Sequence, residues 1–177
     1  MISDVIITDL RDAESYAYSP TKRNYDIWIS TVDEKDRHKA KRIEKLLTKK
    51  GLKHFSQFFY DWSEEDNPIF KHLEKSAPTM KHVEKIISFI SPYSRDEKPH
   101  NLGINCFAGI SRSTAVGIIA LVMSGKTPKM AFDYILAIRP MAWPNLRILR
   151  FASEILGQDL TSPVVEFKNS MEGKIIV

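Results

Sequence analysis

The segment 102–124 constrains the fold more than any other part of the chain. Residues 102–105 form a short apolar run that reads as a buried strand, and residues 111–124 (SRSTAVGIIALVMS) read as a long apolar helix. The loop between them aims successive backbone N–H groups at one point, and such a nest at a helix N-terminus binds a dianion such as phosphate without help from side chains. The only cysteine of the chain, Cys106, stands at this junction. Helix N-termini and neighbouring cations favour the thiolate, so Cys106 is expected to be a nucleophile at neutral pH.

Each residue of the loop is of a type that suits such a site. Gly109 permits a turn that a side chain would obstruct, and small Ala108 keeps the rim open. Arg112 can fold its guanidinium fork back over the loop and hold two phosphate oxygens with parallel hydrogen bonds, which a lysine could not do as well. Ser113 can give its hydroxyl hydrogen to the sulfur, easing its departure from a thiophosphate intermediate. Phe107, Ala108, Gly109, Ile110 and Ser111, with Arg112, are the expected phosphate cradle. A free cysteine is commonly an inert, buried small hydrophobe. That reading supplies no reason for glycine, arginine and a hydroxyl at these spacings, and an arginine at a buried helix start is costly without an anion.

The run Cys106-x5-Arg112-Ser113, set between strand and helix, resembles the signature of the cysteine-dependent protein tyrosine phosphatases. The wording from Ala108 through Thr114 is similar to the compact dual-specificity branch and to small prokaryotic tyrosine phosphatases. The resemblance extends loosely over residues 26–157, with 27–31 (IWIST) similar to the first core strand region, and Arg139-Pro140 through Pro144-Asn145 to the helix junction after the active site. One position departs from it: the family has histidine before the cysteine, where it orients the loop, and this chain has Asn105. Its amide is expected to hydrogen-bond loop carbonyls and to give a weaker or differently tuned nucleophile.

A phosphatase of this kind needs a general acid for the leaving oxygen. The resemblance places it on an aspartate in a mobile loop just after a strand. Residues 55–60 read as that strand, and the acidic turn 61–66 (DWSEED) follows at once. By position Asp61 is the expected acid and Asp66 the next candidate, ahead of Glu64 and Glu65. Trp62 reads either as a hinge of that loop or as plain core. Residues 67–76 look like an insertion relative to the shortest relatives.

Elsewhere, strands are expected at 5–8 and 25–31 with a polar loop between them, and helices at 78–91, with Thr79 as cap, and from Thr127-Pro128 to Ile138. A last helix starts at Pro144 and stops at Gly157. Alternation of strands with helices predicts an α/β layer: a mainly parallel sheet of about four to five strands, flanked by helices on both faces. The βα junction at the carboxyl end of a strand is where such sheets place ligands. Residues 164–167 and 174–177 flank a turn at Glu172-Gly173 and read as a hairpin or an edge strand.

With 177 residues, the chain is expected to form a single domain, its core at about 26–157 and a C-terminal tail at 158–177. Hydrophobic and charged shares of 43% and 27% are ordinary for a globular chain. No apolar run is long enough to span a bilayer, the first residues do not read as a secretory signal, and a lone cysteine suits a reducing compartment, so the expected location is cytoplasmic. Histidines at metal-ligand spacing are lacking, and no metal or other cofactor is expected. The net charge of +4 owes much to a basic amphipathic helix, whose Ala40, Ile43, Leu46 and Leu47 make an apolar stripe ended by Gly51. Its basic face is read as solvated surface, with RNA or acidic lipid as the less favoured partners.

The expected function is a protein phosphatase acting on phosphotyrosine, with phosphoserine and phosphothreonine as further candidates and a phosphorylated protein as partner. The alternatives are a weak or inactive module that binds phosphorylated partners, motivated by Asn105, and an RNA 5′-phosphatase or lipid phosphatase using the same site.

Overall fold

A computed structural model of the chain describes residues 1–19, 25–64 and 68–172. Its centre is a four-stranded sheet in the order β1 (Ile2–Thr8), β4 (His100–Asn105), β2 (Ile27–Val32), β3 (Lys53–Phe58). All neighbouring strands are parallel, with Val5 opposite Leu102, Ile27 opposite Leu102 and Val32 opposite Phe58. Every residue of β2 is buried, as a strand covered on both faces requires. Because the strands run in one direction, their carboxyl ends share one edge, and the loop after β4 emerges there between β1 and β2.

One face carries α1 (Leu10–Tyr18) and α2 (Arg37–Lys49), which bury Leu10, Ala13, Ala17, Ala40, Ile43 and Leu47 against Trp28 and Val32. The other carries α3 (Met80–Ser94), α4 (Arg112–Met123), α5 (Pro128–Ile138), α6 (Leu146–Leu156) and α7 (Ser162–Glu172). Helix α4 is buried from Arg112 through Val122, as its all-round apolar sequence demands. It is the central layer between the sheet and the outer helices.

Two segments differ from the sequence reading. The expected polar loop after β1 contains α1: Asp9 caps it by accepting from Asp12 N at 2.7 Å, and Leu10, Ala13 and Ala17 repeat at helical spacing on its buried face. In the tail, residues 164–167 are helix, not strand. Asp159 accepts from the backbone N–H groups of Thr161 and Ser162 at 2.8 and 3.1 Å, and Pro163 sits in the first turn. Val164 is buried, and Phe167 meets the Phe132 and Trp143 rings edge-on, so the 164/167 spacing docks one helical face. Val164-Val165 favours strand locally, but capping and docking override it. Residues 174–177 lie outside the described residues.

The basic helix α2 is largely paired within the chain. Arg37 pairs with Glu34, Lys39 with Asp36, Lys41 with Glu44 and Arg42 with Glu14, while Lys50 donates to the carbonyls of Tyr16 and Ser19.

Candidate active site

The loop after β4 is held by its carbonyls. Leu10 N donates to Phe107 O at 3.1 Å, and Arg139 donates through Nη2 to Ala108 O and through Nε to Gly109 O, both at 3.0 Å. Trp143 N reaches Ile110 O at 2.9 Å, and Ala115 N reaches Ser111 O at 3.1 Å. The side chain of Thr114 adds bonds to Ile110 O and Ser111 O at 2.6 and 2.8 Å. Each of these carbonyls is therefore engaged by a group outside the loop. In a planar peptide the N–H points opposite to the C=O, so the amides turn inward. One of them lands on sulfur: Gly109 N donates to Cys106 Sγ at 3.1 Å.

Gly109 is indispensable to this shape. Its φ of +68° is left-handed, and a Cβ there would lie 2.8 Å from the backbone C and O of Thr8. The loop is thus pressed against the end of β1. Ser113 donates its hydroxyl to Cys106 Sγ at 3.2 Å, so two donors converge on the sulfur. Cys106 is only 1% exposed, a burial that an inert structural cysteine would share. The two hydrogen bonds and the outward-facing carbonyls set it apart.

Arg112, buried at the start of α4, uses one end of its guanidinium for support. Its Nη1 donates to Asp33 Oδ1 at 2.7 Å and to Phe59 O at 2.6 Å. Its buried Nε has no hydrogen-bond partner among the described residues, and Asp61 Oδ2 stands 3.7 Å from it. The Nε/Nη2 edge is therefore an oriented fork with donors to spare, the geometry that grips an oxyanion. The adjoining cavity, about 310 Å³, is lined by Asp33, Lys35, Tyr60, Asp61, Leu73, Phe107, Ala108 and Arg112. Phe107, 54% exposed, forms part of its rim.

Asp61 lies at this mouth. Its Oδ1 accepts from Ser111 Oγ at 2.7 Å and from Asn145 Nδ2 at 2.9 Å. The structure thus brings Asp61 together with Cys106, Arg112 and Ser113 across the carboxyl edge of the sheet. Glu64 turns away from the loop, to Arg147 and Arg150 on α6. Asp66 and Glu65 lie outside the described residues. Trp62 is a buried side chain beneath the Arg147 guanidinium, which sits 5.4 Å from its ring.

Asn105 behaves differently from the expectation that its amide bonds loop carbonyls. Its Oδ1 accepts from Trp28 Nε1 at 2.8 Å and Ser30 Oγ at 2.7 Å, both on β2, while Nδ2 has no partner among the described residues. Trp28 reaches it by lying flat on Gly103, where a Cβ would stand 2.1 Å from the ring. Because the single Ser30 hydrogen goes to Asn105, Ser30 accepts from His54 Nε2 at 3.0 Å, leaving His54 Nδ1 buried and without a partner among the described residues. Burial holds His54 down at about 4, so the ring is neutral. The residue before the cysteine is thus locked to the sheet by a polar chain running from β3 through β2 to β4.

The sequence reading missed several residues of this assembly: Asp33, which anchors Arg112; Asn145, which bonds Asp61 and caps α6 through Ile148 N at 3.0 Å; and the donors Arg139, Trp28 and Ser30. The signals at hand were Asp33, an acid directly after a strand, and Arg139 and Asn145, which bound the segment similar to the helix junction after the active site.

No protein-family model matches the sequence, and no curated protein is detectably similar to it. Solved structures are. PTPMT1 in complex with PI(5)P superposes with a TM-score of 0.57 at 18% identity, over 87% of this chain and 93% of its own. Human DUSP28 gives 0.53 at 17% identity over 85% and 86%, and Tk-PTP in the active form 0.53 at 19% identity over 85% and 90%. With the parallel sheet and the cysteine loop at its carboxyl edge, these likenesses show that the chain has the fold of the protein tyrosine and dual-specificity phosphatases.

Proposed function

We propose that the protein is a cysteine-dependent phosphatase of phosphorylated proteins, with phosphotyrosine the favoured substrate group. The observation that carries this reading is the pair of donors on Cys106 Sγ in a loop whose Phe107 to Ser111 carbonyls are engaged from outside, beside an arginine edge with unused donors. Cys106 Sγ attacks phosphorus, and loop amides and the Arg112 fork hold the non-bridging oxygens. As the P–O bond breaks, Asp61 gives its proton to the leaving oxygen. Water then attacks the cysteinyl-phosphate and returns a proton to Asp61, and sulfur leaves as a thiolate stabilised by Ser113 and Gly109 N. Phosphoserine and phosphothreonine turn over more slowly at the same centre, because their alkoxides are poorer leaving groups than a phenoxide. A nucleophilic thiol with no second cysteine to protect it functions in a reducing compartment, in keeping with a cytoplasmic site of action.

The PI(5)P complex of PTPMT1 motivates a phosphoinositide as the second substrate to be assayed. RNA is disfavoured, because Arg37, Lys39, Lys41 and Arg42 of α2 pair with carboxylates of the chain itself.

The test is turnover of a phosphotyrosine peptide, a phosphoserine peptide and a phosphoinositide by the wild type and by Cys106→Ser. The expected result is vanadate-sensitive release of phosphate, fastest from phosphotyrosine and abolished by Cys106→Ser, with a phosphocysteine trapped on acid quenching. Tight binding of the phosphopeptide with no hydrolysis would replace the enzyme by a binding module. Preferred turnover of the lipid would move the substrate class.

A further inference from the structure

The described part of the acidic turn, Asp61 to Glu64, is fastened to α6 and its cap at both ends. At its start, Asn145 Nδ2 donates to Asp61 Oδ1 and, at 3.3 Å, to Trp62 O. At Glu64 the carboxylate is shared by two arginines one turn apart: Arg147 Nη1 donates to Oε1, and Arg150 Nη2 to Oε2 at 2.8 Å. Arg147 is itself preset. Its Nε donates to Pro78 O at 2.8 Å, and its guanidinium lies 5.4 Å from the Trp62 ring and 5.3 Å from that of Phe151. A fork held from three directions gives Glu64 one place to dock, and both carboxylate oxygens are engaged.

Nothing in the chemistry of the cleft uses Glu64, which is 45% exposed at its side chain and is bonded to α6. Its position three residues after Asp61 gives it a different use. Pinning Glu64 and Trp62 shortens the free path of the turn and confines where the Asp61 carboxyl can sit. We propose that Glu64, clamped by Arg147 and Arg150, is a positioning residue for Asp61: the clasp sets proton delivery to the leaving oxygen. This rests on the reading of Asp61 as the general acid. The clasp acts through Asp61 alone, so its contribution grows as the leaving group gets worse and vanishes when Asp61 can no longer donate a proton.

The experiment compares phenyl phosphate with p-nitrophenyl phosphate for the wild type, Glu64→Gln, Asp61→Asn and the double variant. Glu64 is exposed, so Glu64→Gln is expected to fold with an almost unchanged melting temperature. It should lower kcat on phenyl phosphate about tenfold, leave p-nitrophenyl phosphate within about twofold, and keep KM. In the Asp61→Asn background the same substitution should be silent. An equal loss on both substrates, no loss on either, or a loss that persists without Asp61 would each overturn the clasp. If Asp61→Asn shows a steep leaving-group dependence while Glu64→Gln shows none, only the clasp falls. If Asp61→Asn itself has a flat profile, the acid assignment falls and the clasp with it.

Discussion

Replacing Asn105 with leucine should remove a large part of the protein's stability, although the two side chains are similar in shape. The Asn105 amide oxygen is the acceptor for Trp28 Nε1 and Ser30 Oγ in a fully buried setting. Leucine leaves both donors stranded. An indole N–H is a donor only and cannot turn elsewhere, since its ring is pinned on Gly103. A buried donor left unsatisfied costs about 1–3 kcal/mol, so two of them predict a loss of about 2–6 kcal/mol, with little cavity contribution. Against a typical domain stability of about 5–15 kcal/mol, this is a shift that a urea titration resolves easily. The midpoint should fall with the slope unchanged. In a Trp28→Phe background one stranded donor is already gone, so the same substitution should cost about 1–3 kcal/mol less. An Asn105→Leu protein within about 0.5 kcal/mol of wild type, or an absence of coupling to Trp28, would refute the reasoning. Asn105→Asp keeps an oxygen acceptor for both donors, so it should lose less stability than Asn105→Leu in the same urea titration.

Gly109→Ala should be far more damaging than Gly157→Ala, since both glycines have positive φ but only Gly109 of the two faces backbone within 3 Å. The left-handed strain alone costs about 1–2 kcal/mol, so Gly157→Ala should lose that and Gly109→Ala clearly more, by thermal denaturation. Arg112→Lys should lower kcat/KM by at least about 100-fold without unfolding the protein, because an ammonium offers neither the Asp33 and Phe59 anchorage nor the free fork edge; steady-state kinetics with circular dichroism checks this. His54, held at about 4 against an ordinary 6.5, binds its proton in the unfolded chain before it does so in the folded one. Its contribution is therefore complete above about pH 6.5 and is lost as the pH falls towards 4, by about 2–3 kcal/mol. Urea midpoints measured across that window should slope upward with pH in the wild type and flatten in His54→Gln.

What could be read from the chain alone was whatever lies within a few residues along it. The apolar strand, the glycine-bearing loop and the helix α4 are contiguous, so the convergence of amides, thiol, Ser113 hydroxyl and arginine followed from order and residue type. Asp61 was singled out by the family resemblance, through its place after β3, and the structure sets its carboxylate against Ser111 and Arg112 of the loop. The helix α1 and the tail helix α7 escaped because their sequences are weakly patterned: α1 depends on the Asp9 cap and three small or apolar contacts, and α7 on docking of Val164 and Phe167. The side chains that make the loop a site were a different matter. Asp33 reaches Arg112 from 79 residues away, Asn145 reaches Asp61 from 84, and Trp28 reaches Asn105 from 77. Beyond the place of Asp33 after a strand and of Asn145 at the helix junction, no local pattern assigns such partners, because each is an ordinary polar residue until the strand order β1-β4-β2-β3 sets the carboxyl ends of all four strands side by side. Local order along the chain supplied Cys106 and the loop of amides around it; packing across the sheet decided which distant groups hold them.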